Sequence, residues 1–119
     1  MVESIKKLIV VSRRIDLVNI CKTQLELLFF VHIITPESFL SDFELIEEFK
    51  VDCLITDLDL LSEEFSQFKQ FRFAIEYLHT RYGIKAVYYD PFSTTVEQFI
   101  HIFMDTEINR REIYRLKPL

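Results

Sequence analysis

Short apolar runs alternate with longer segments of helical periodicity along the whole chain. Leu8-Ile9-Val10-Val11 closes the first run, over Lys7 to Val11, and reads as a strand. Ser12 to Arg14 follows as a turn. A helix is expected from Asp16 to Phe29, with Ile15, Val18, Cys21 or Lys22, Leu25 and Leu28 at helical spacing. Phe30 to Ile34 reads as a second strand, closed by Thr35-Pro36. Ser38 or Ser41 starts a second helix carrying Phe39, Phe43, Leu45, Ile46 and Phe49.

The third strand is the most informative. Val51-Asp52-Cys53-Leu54-Ile55-Thr56-Asp57 is an apolar run ending in an aspartate, with Asp59 two residues on. A run this short, bounded by polar residues, suits a strand buried on both faces. A long helix is expected from Ser62 to Tyr82. Its first turn is acidic, and its stripe is Phe65, Phe68, Phe71, Ile75, Leu78 and Tyr82. Gly83 stands where a left-handed C-cap belongs. Ile84 to Tyr89 reads as a fourth strand ended by Asp90-Pro91. Thr94 or Thr95 caps a helix bearing Val96, Phe99, Ile100, Phe103 and Met104. Glu112 to Leu116 is expected as a short fifth strand.

The order is therefore strand–helix repeated, ending on a strand. Such alternation implies an α/β fold with a doubly wound parallel sheet and right-handed crossovers. In such sheets ligands gather beyond the carboxyl ends of the strands, which is where Asp57 stands.

Composition narrows the function classes. The 119 residues make one domain, 1-119, half of it hydrophobic. Gly occurs once, so a glycine-rich phosphate loop is excluded. A net charge of -5 argues against a nucleic-acid partner. The longest apolar stretch, Leu25 to Ile34, contains Glu26 and His32 and is too short to span a bilayer. No signal peptide is read, and Cys21 and Cys53 lack metal or redox spacing, so a cytoplasmic protein with buried reduced thiols is expected. The three histidines, His32, His79 and His101, share no metal-ligand spacing.

Over nearly its whole length the chain resembles the receiver domain of bacterial response regulators. Three marks carry the resemblance. Leu54-Ile55-Thr56-Asp57-Leu58-Asp59-Leu60 is similar to the family's phosphoacceptor strand and following loop. Tyr114-Arg115-Leu116-Lys117-Pro118-Leu119 is similar to its Lys-Pro motif, and the element order agrees. The resemblance implies a five-stranded flavodoxin-like sheet of order 2-1-3-4-5. It also implies Asp57 as the phosphoacceptor-like residue, Asp59 at the metal-carbonyl position and Lys117 as the phosphoryl contact.

The departures are as telling as the matches. Where the family carries an acidic pair for Mg²⁺, this chain has Ser12-Arg13. Two unit charges about 4 Å apart interact by roughly 4 kcal/mol at an effective dielectric near 20, and a divalent ion facing Arg13 would meet about twice that repulsion. The fourth strand ends Tyr88-Tyr89-Asp90 in place of a small hydroxyl residue, and Leu61 replaces a loop proline. The family carries a last helix after its Lys-Pro motif, where this sequence stops at Leu119; the resemblance then implies uncovered sheet surface near the last strands, in a fragment of a longer protein or beneath a partner.

Two readings of Asp57 follow. It is a phosphoacceptor, or it is a strand-end carboxylate neutralised by Arg13, Lys117 or a loop amide. Loss of the acidic pair favours the second, with Ser12, Arg13, Asp59, Tyr89, Asp90 and Lys117 as its pocket. The expected function is that of a degenerate, non-enzymatic receiver-like domain without cofactor, signalling by contact with a protein partner or a second copy. A working phosphoacceptor using Mg²⁺ and a small flavodoxin-like ligand-binding module are the rivals. Phe73 and Tyr77, off the stripe of the long helix, form one candidate interaction surface. Phe92, Phe99, His101 and Tyr114 form another. Arg110-Arg111, with Arg115 and Lys117, read as a solvated basic turn.

Overall fold

The computed structural model describes the backbone of residues 7–116 and the side chains of residues 7–106. Strands β1 (Lys7–Val11), β2 (Phe30–Ile34), β3 (Cys53–Asp57) and β4 (Lys85–Tyr89) alternate with helices α1 (Ile15–Gln24), α2 (Pro36–Ser41), α3 (Phe43–Phe49), α4 (Phe68–Tyr82) and α5 (Val96–Leu116). The four strands form one all-parallel sheet in the order β2-β1-β3-β4. This is an α/β arrangement consistent with a Rossmann or flavodoxin-like kind of fold.

Alternation along each strand divides the core in two. Leu8 and Val10 of β1, with Cys53 and Ile55 of β3, face α1 and α5, where they meet Leu17, Cys21, Ile100 and Phe103. Ile9, Val11 and Leu54 face the other way, against Phe39 of α2, Ile46 of α3 and Phe71, Ile75 and Leu78 of α4. The central strands β1 and β3 are thus buried on both sides, as their unbroken apolar runs required. Cys21 and Cys53 are free thiols inside the first cluster, and burial pushes the Cys21 thiol up to about 12.

Local signals set most of the boundaries. The Thr35 side chain caps α2 by accepting from the Ser38 N–H at 3.1 Å, with Pro36 in the first turn. This cap lies upstream of the serines expected to start the helix, and Asp42 breaks the segment into α2 and α3. Thr95 caps α5 in a capping box: Thr95 Oγ1 accepts from the Gln98 N–H, and Gln98 Oε1 accepts from the Thr95 N–H, both at 3.2 Å. Gly83 caps α4 in the left-handed region, at φ 71°, as its position indicated. The expected first helix ends earlier, and Leu25–Leu27 tighten into a 3-10 turn.

Three expectations are corrected. The long helix begins at Phe68, not Ser62, because residues 62–67 turn so that Phe65 lies buried and edge-on to Phe71, 6.0 Å between centroids. Glu112 to Leu116 are part of α5 and not a fifth strand. No Gly or Pro interrupts the chain from Val96 to Leu116, and each residue added to a helix already nucleated gains a backbone hydrogen bond. The described residues therefore hold four strands. The resemblance led to an uncovered sheet face near the last strands; α5 covers it, packing Val96, Phe99, Ile100 and Phe103 into the same cluster as Tyr89. Among the described residues no helix is long and apolar enough to cross a membrane.

Because Ile100 is fully buried where α5 closes that face, Ile100→Ala is expected to cost about 2–5 kcal/mol, measured by urea unfolding. An α5 that contributed nothing to the core would leave the midpoint unchanged.

Candidate functional site

The site forms where β1 and β3 end side by side. Their register sets Val11 against Thr56, so the next residues, Ser12 and Asp57, fall together. The Thr56 hydroxyl donates to the Val11 carbonyl at 2.7 Å and pins these strand ends. The Ser12 hydroxyl donates to Asp57 Oδ2 at 2.5 Å, and Ser12 Oγ in turn accepts from the Arg14 N–H at 3.0 Å. Ser12 and Asp57 are both buried, Asp57 with 1% of its surface exposed.

Burial is the main influence on the Asp57 carboxyl and raises its pKa. The Ser12 hydroxyl opposes this. The Asp59 charge adds to the rise, while the Arg14 charge and the Leu60 backbone N–H work against it. The net direction is upward. Desolvation therefore outweighs the hydrogen bonds and the nearby cation.

The cation next to this pair is Arg14, which the sequence reading missed. Arg14 Nη1 lies 3.0 Å from Asp59 Oδ2, and its guanidinium lies over the Tyr89 ring, 5.4 Å from the centroid. Its Nε is buried and without a hydrogen-bond partner, 3.7 Å from Asp16 Oδ1. Arg13 does not enter the pocket. It pairs with Glu37 of α2 and lies over Phe65, 5.0 Å from the ring centroid. Consecutive residues of an extended segment point to opposite sides, so only one of the two arginines can turn inward. A signal was present: in Ser12-Arg13-Arg14, the residue on the same side as Ser12 is Arg14.

The other expected pocket residues divide. Tyr89 is a buried wall, edge-on to Phe99, and its hydroxyl donates to the Thr94 carbonyl at 3.2 Å. Asp90 organises its own loop, accepting from the Phe92 N–H at 3.0 Å and the Ser93 hydroxyl at 2.6 Å. These bonds hold its carboxyl below the usual range. Asp59 belongs to Arg14. Asp52 lies at the other end of β3, where its carboxylate accepts from the Lys7 N–H. Lys117 lies outside the described residues. Among the described residues no group of three or more His, Cys, Asp and Glu side chains could hold a metal ion.

The candidate surfaces also divide. Phe73 is 72% exposed and Phe92 is 96% exposed. Tyr77 is partly exposed and joins an aromatic row between Phe43 and Tyr82, at 5.8 and 6.4 Å. Phe99 is corrected: it is a core residue, because the α5 stripe that buries Val96 and Ile100 carries it inward. His101 is exposed beside Asp105, 3.8 Å away. The side chains of Tyr114, Arg110, Arg111 and Arg115 lie outside the described residues.

An acid whose pKa is raised on folding stabilises the fold while protonated. That contribution is complete below the unfolded-state pKa and is lost as pH rises through the folded-state value. Asp57→Asn is therefore expected to stabilise the protein at pH 7, with the gain shrinking as pH falls through the Asp57 titration. Ser12→Ala is expected to cost about 1–3 kcal/mol at pH 7, since it leaves a buried carboxylate oxygen without its donor. Urea unfolding across pH checks both, and a destabilised Asp57→Asn at neutral pH would contradict the sign. Comparison of the chain with protein-family models, characterised proteins and solved structures gives no match.

Proposed function

We propose that this chain is a receiver-like signalling domain that acts by docking to protein and does so without Mg²⁺-dependent phosphorylation of Asp57. The observation that carries this reading is the Ser12–Asp57 hydrogen bond. One carboxylate oxygen is engaged at 2.5 Å, and the side chain is almost wholly buried. A phosphoacceptor needs a free carboxylate oxygen that can reach phosphorus in line. Here a hydroxyl holds one of the two oxygens, the Leu60 backbone also bonds the carboxyl, and burial leaves little access to the other oxygen.

The charge arrangement supports the same reading. A hard divalent cation at a strand-end site takes carboxylate oxygens. Beyond β1 this chain supplies Ser12 in place of an acid, and Asp59 is already paired with a tethered guanidinium. Arg14 thus provides a permanent positive charge where a dissociable metal would provide a conditional one. A pocket held in one charge state has no ligand-dependent switch to throw. What remains for function is surface, and two phenylalanines, Phe73 and Phe92, stand well exposed on it.

A ligand-binding module at the strand ends has less support. Gly83 precedes β4, at the opposite end of the strands from Asp57, so no loop after a strand offers glycine for close approach to phosphate.

NMR titration of the protein with beryllofluoride and Mg²⁺ tests the proposal. The backbone resonances of Asp57 and its neighbours are expected to stay in place. A saturable, Mg²⁺-dependent shift centred on Asp57 would overturn the proposal in favour of a working phosphoacceptor.

A further inference from the structure

Residues 58–67 join β3 to α4. Leu58–Leu61 make one 3-10 turn, and no regular element follows until Phe68. The backbone bonds beyond that turn are short in range. The Ser62 N–H donates to the Asp59 carbonyl at 3.3 Å, the Phe65 N–H to the Ser62 carbonyl at 3.1 Å and the Phe68 N–H to the Phe65 carbonyl at 3.0 Å. Among the described residues, no backbone–backbone bond of residues 59–67 reaches the sheet. The segment nevertheless lies against the site. The Leu60 N–H bonds the Asp57 carboxyl, and the Leu60 and Phe65 side chains are buried.

Two of the side-chain ties that hold this segment come from one dipeptide. Arg14 Nη1 meets Asp59 Oδ2 at 3.0 Å, near the start of the segment. The Arg13 guanidinium lies over the Phe65 ring, 5.0 Å from its centroid, near the end. Arg13 is itself anchored to Glu37 of α2. Consecutive residues that point to opposite sides thus take hold of one segment at two places.

We propose that residues 58–67 are a lid that opens as a unit while the sheet stays folded, and that Arg13 and Arg14 are the strap that holds it shut against Asp57. Both arginine contacts are part-exposed, so each is weak alone and is weakened further by salt. Held at two points, the segment is released only when both let go. Its backbone bonds are local, and Leu60 and Phe65 are the buried side chains it withdraws, the second from Phe71 of α4. The rest of the α4 stripe, Ala74, Ile75 and Leu78, keeps its place in the core. Such a unit opens at lower cost than the fold as a whole. Opening takes the Leu60 N–H away from Asp57 and brings two apolar side chains to the surface beside the pocket. The closed pocket keeps the charge arrangement described above, and the docking reading does not depend on the lid.

Native-state hydrogen exchange of the full chain, read amide by amide by NMR, tests the proposal. The amides of Leu60, Ser62 and Phe65 are expected to share one opening equilibrium, at least about tenfold more populated than the opening that exposes the β3 amides of Leu54 and Ile55. Arg14→Gln is expected to raise lid opening by about three- to fivefold and to leave β3 exchange unchanged, and added salt is expected to act in the same direction. A rise in both would mark a general loss of stability and would overturn the strap. Lid amides that exchange only together with β3, or that keep unrelated values of their own, would overturn the lid. Lid exchange that neither Arg13→Gln nor Arg14→Gln changes would overturn the strap as well. A lid that stays shut would leave the reading of Asp57 untouched, and a Mg²⁺-dependent change at Asp57 would leave the exchange result untouched.

Discussion

β1 and β3 lie side by side in parallel, with Val11 set against Thr56, and both faces of the pair are covered. The rest of the molecule follows from this pairing. A parallel pair has no hairpin to join it, so the chain must leave the sheet and return through a helix each time. Two buried faces need two helical layers, supplied by α1 and α5 on one side and α2, α3 and α4 on the other. The same register brings Ser12 beside Asp57, and the Thr56–Val11 hydrogen bond keeps the strand ends from separating.

The pocket at those ends is governed by desolvation more than by attraction. Asp57 is buried deeply enough that its carboxyl titrates high, even with a hydroxyl donor in contact and a guanidinium close by. Arg14 spends its charge on Asp59, in a part-exposed pair whose contribution to stability is modest. Its guanidinium meets both the Asp59 carboxylate and the Tyr89 ring, which fixes a positive charge close to Asp57. Arg13, one residue earlier, serves the surface and ties the β1 turn to α2 through Glu37.

Where the site is closed, the surface is open. α5 shuts the sheet face that the family resemblance left bare, and it runs on as helix through the segment expected to form a fifth strand. Among the described residues β4 is left at the edge of the sheet, with a groove beside it and the exposed Phe92 beyond its end.

Much was legible in the residues alone. The apolar runs located all four strands, most sharply the central pair β1 and β3, whose burial on both faces requires apolar side chains on both. Gly83 marked its helix end, because a left-handed cap favours a residue without Cβ. Asp57 declared itself at a strand terminus for the same local reasons. Other features depended on contacts between segments far apart in sequence. Alternation past β1 puts Arg14 on the side of Ser12, but the partners that hold the two arginines, Glu37 for Arg13 and Asp59 for Arg14, come from segments far along the chain. Phe99 and Phe92 are alike in chemistry, and only the packing of α5 sends one inward. Residues 112–116 have composition that suits either element, and continuation of α5 decided for helix. Periodicity and propensity act over a few residues and determined the elements. Burial and charge pairing act across the fold, and they alone decided which side chains meet at Asp57.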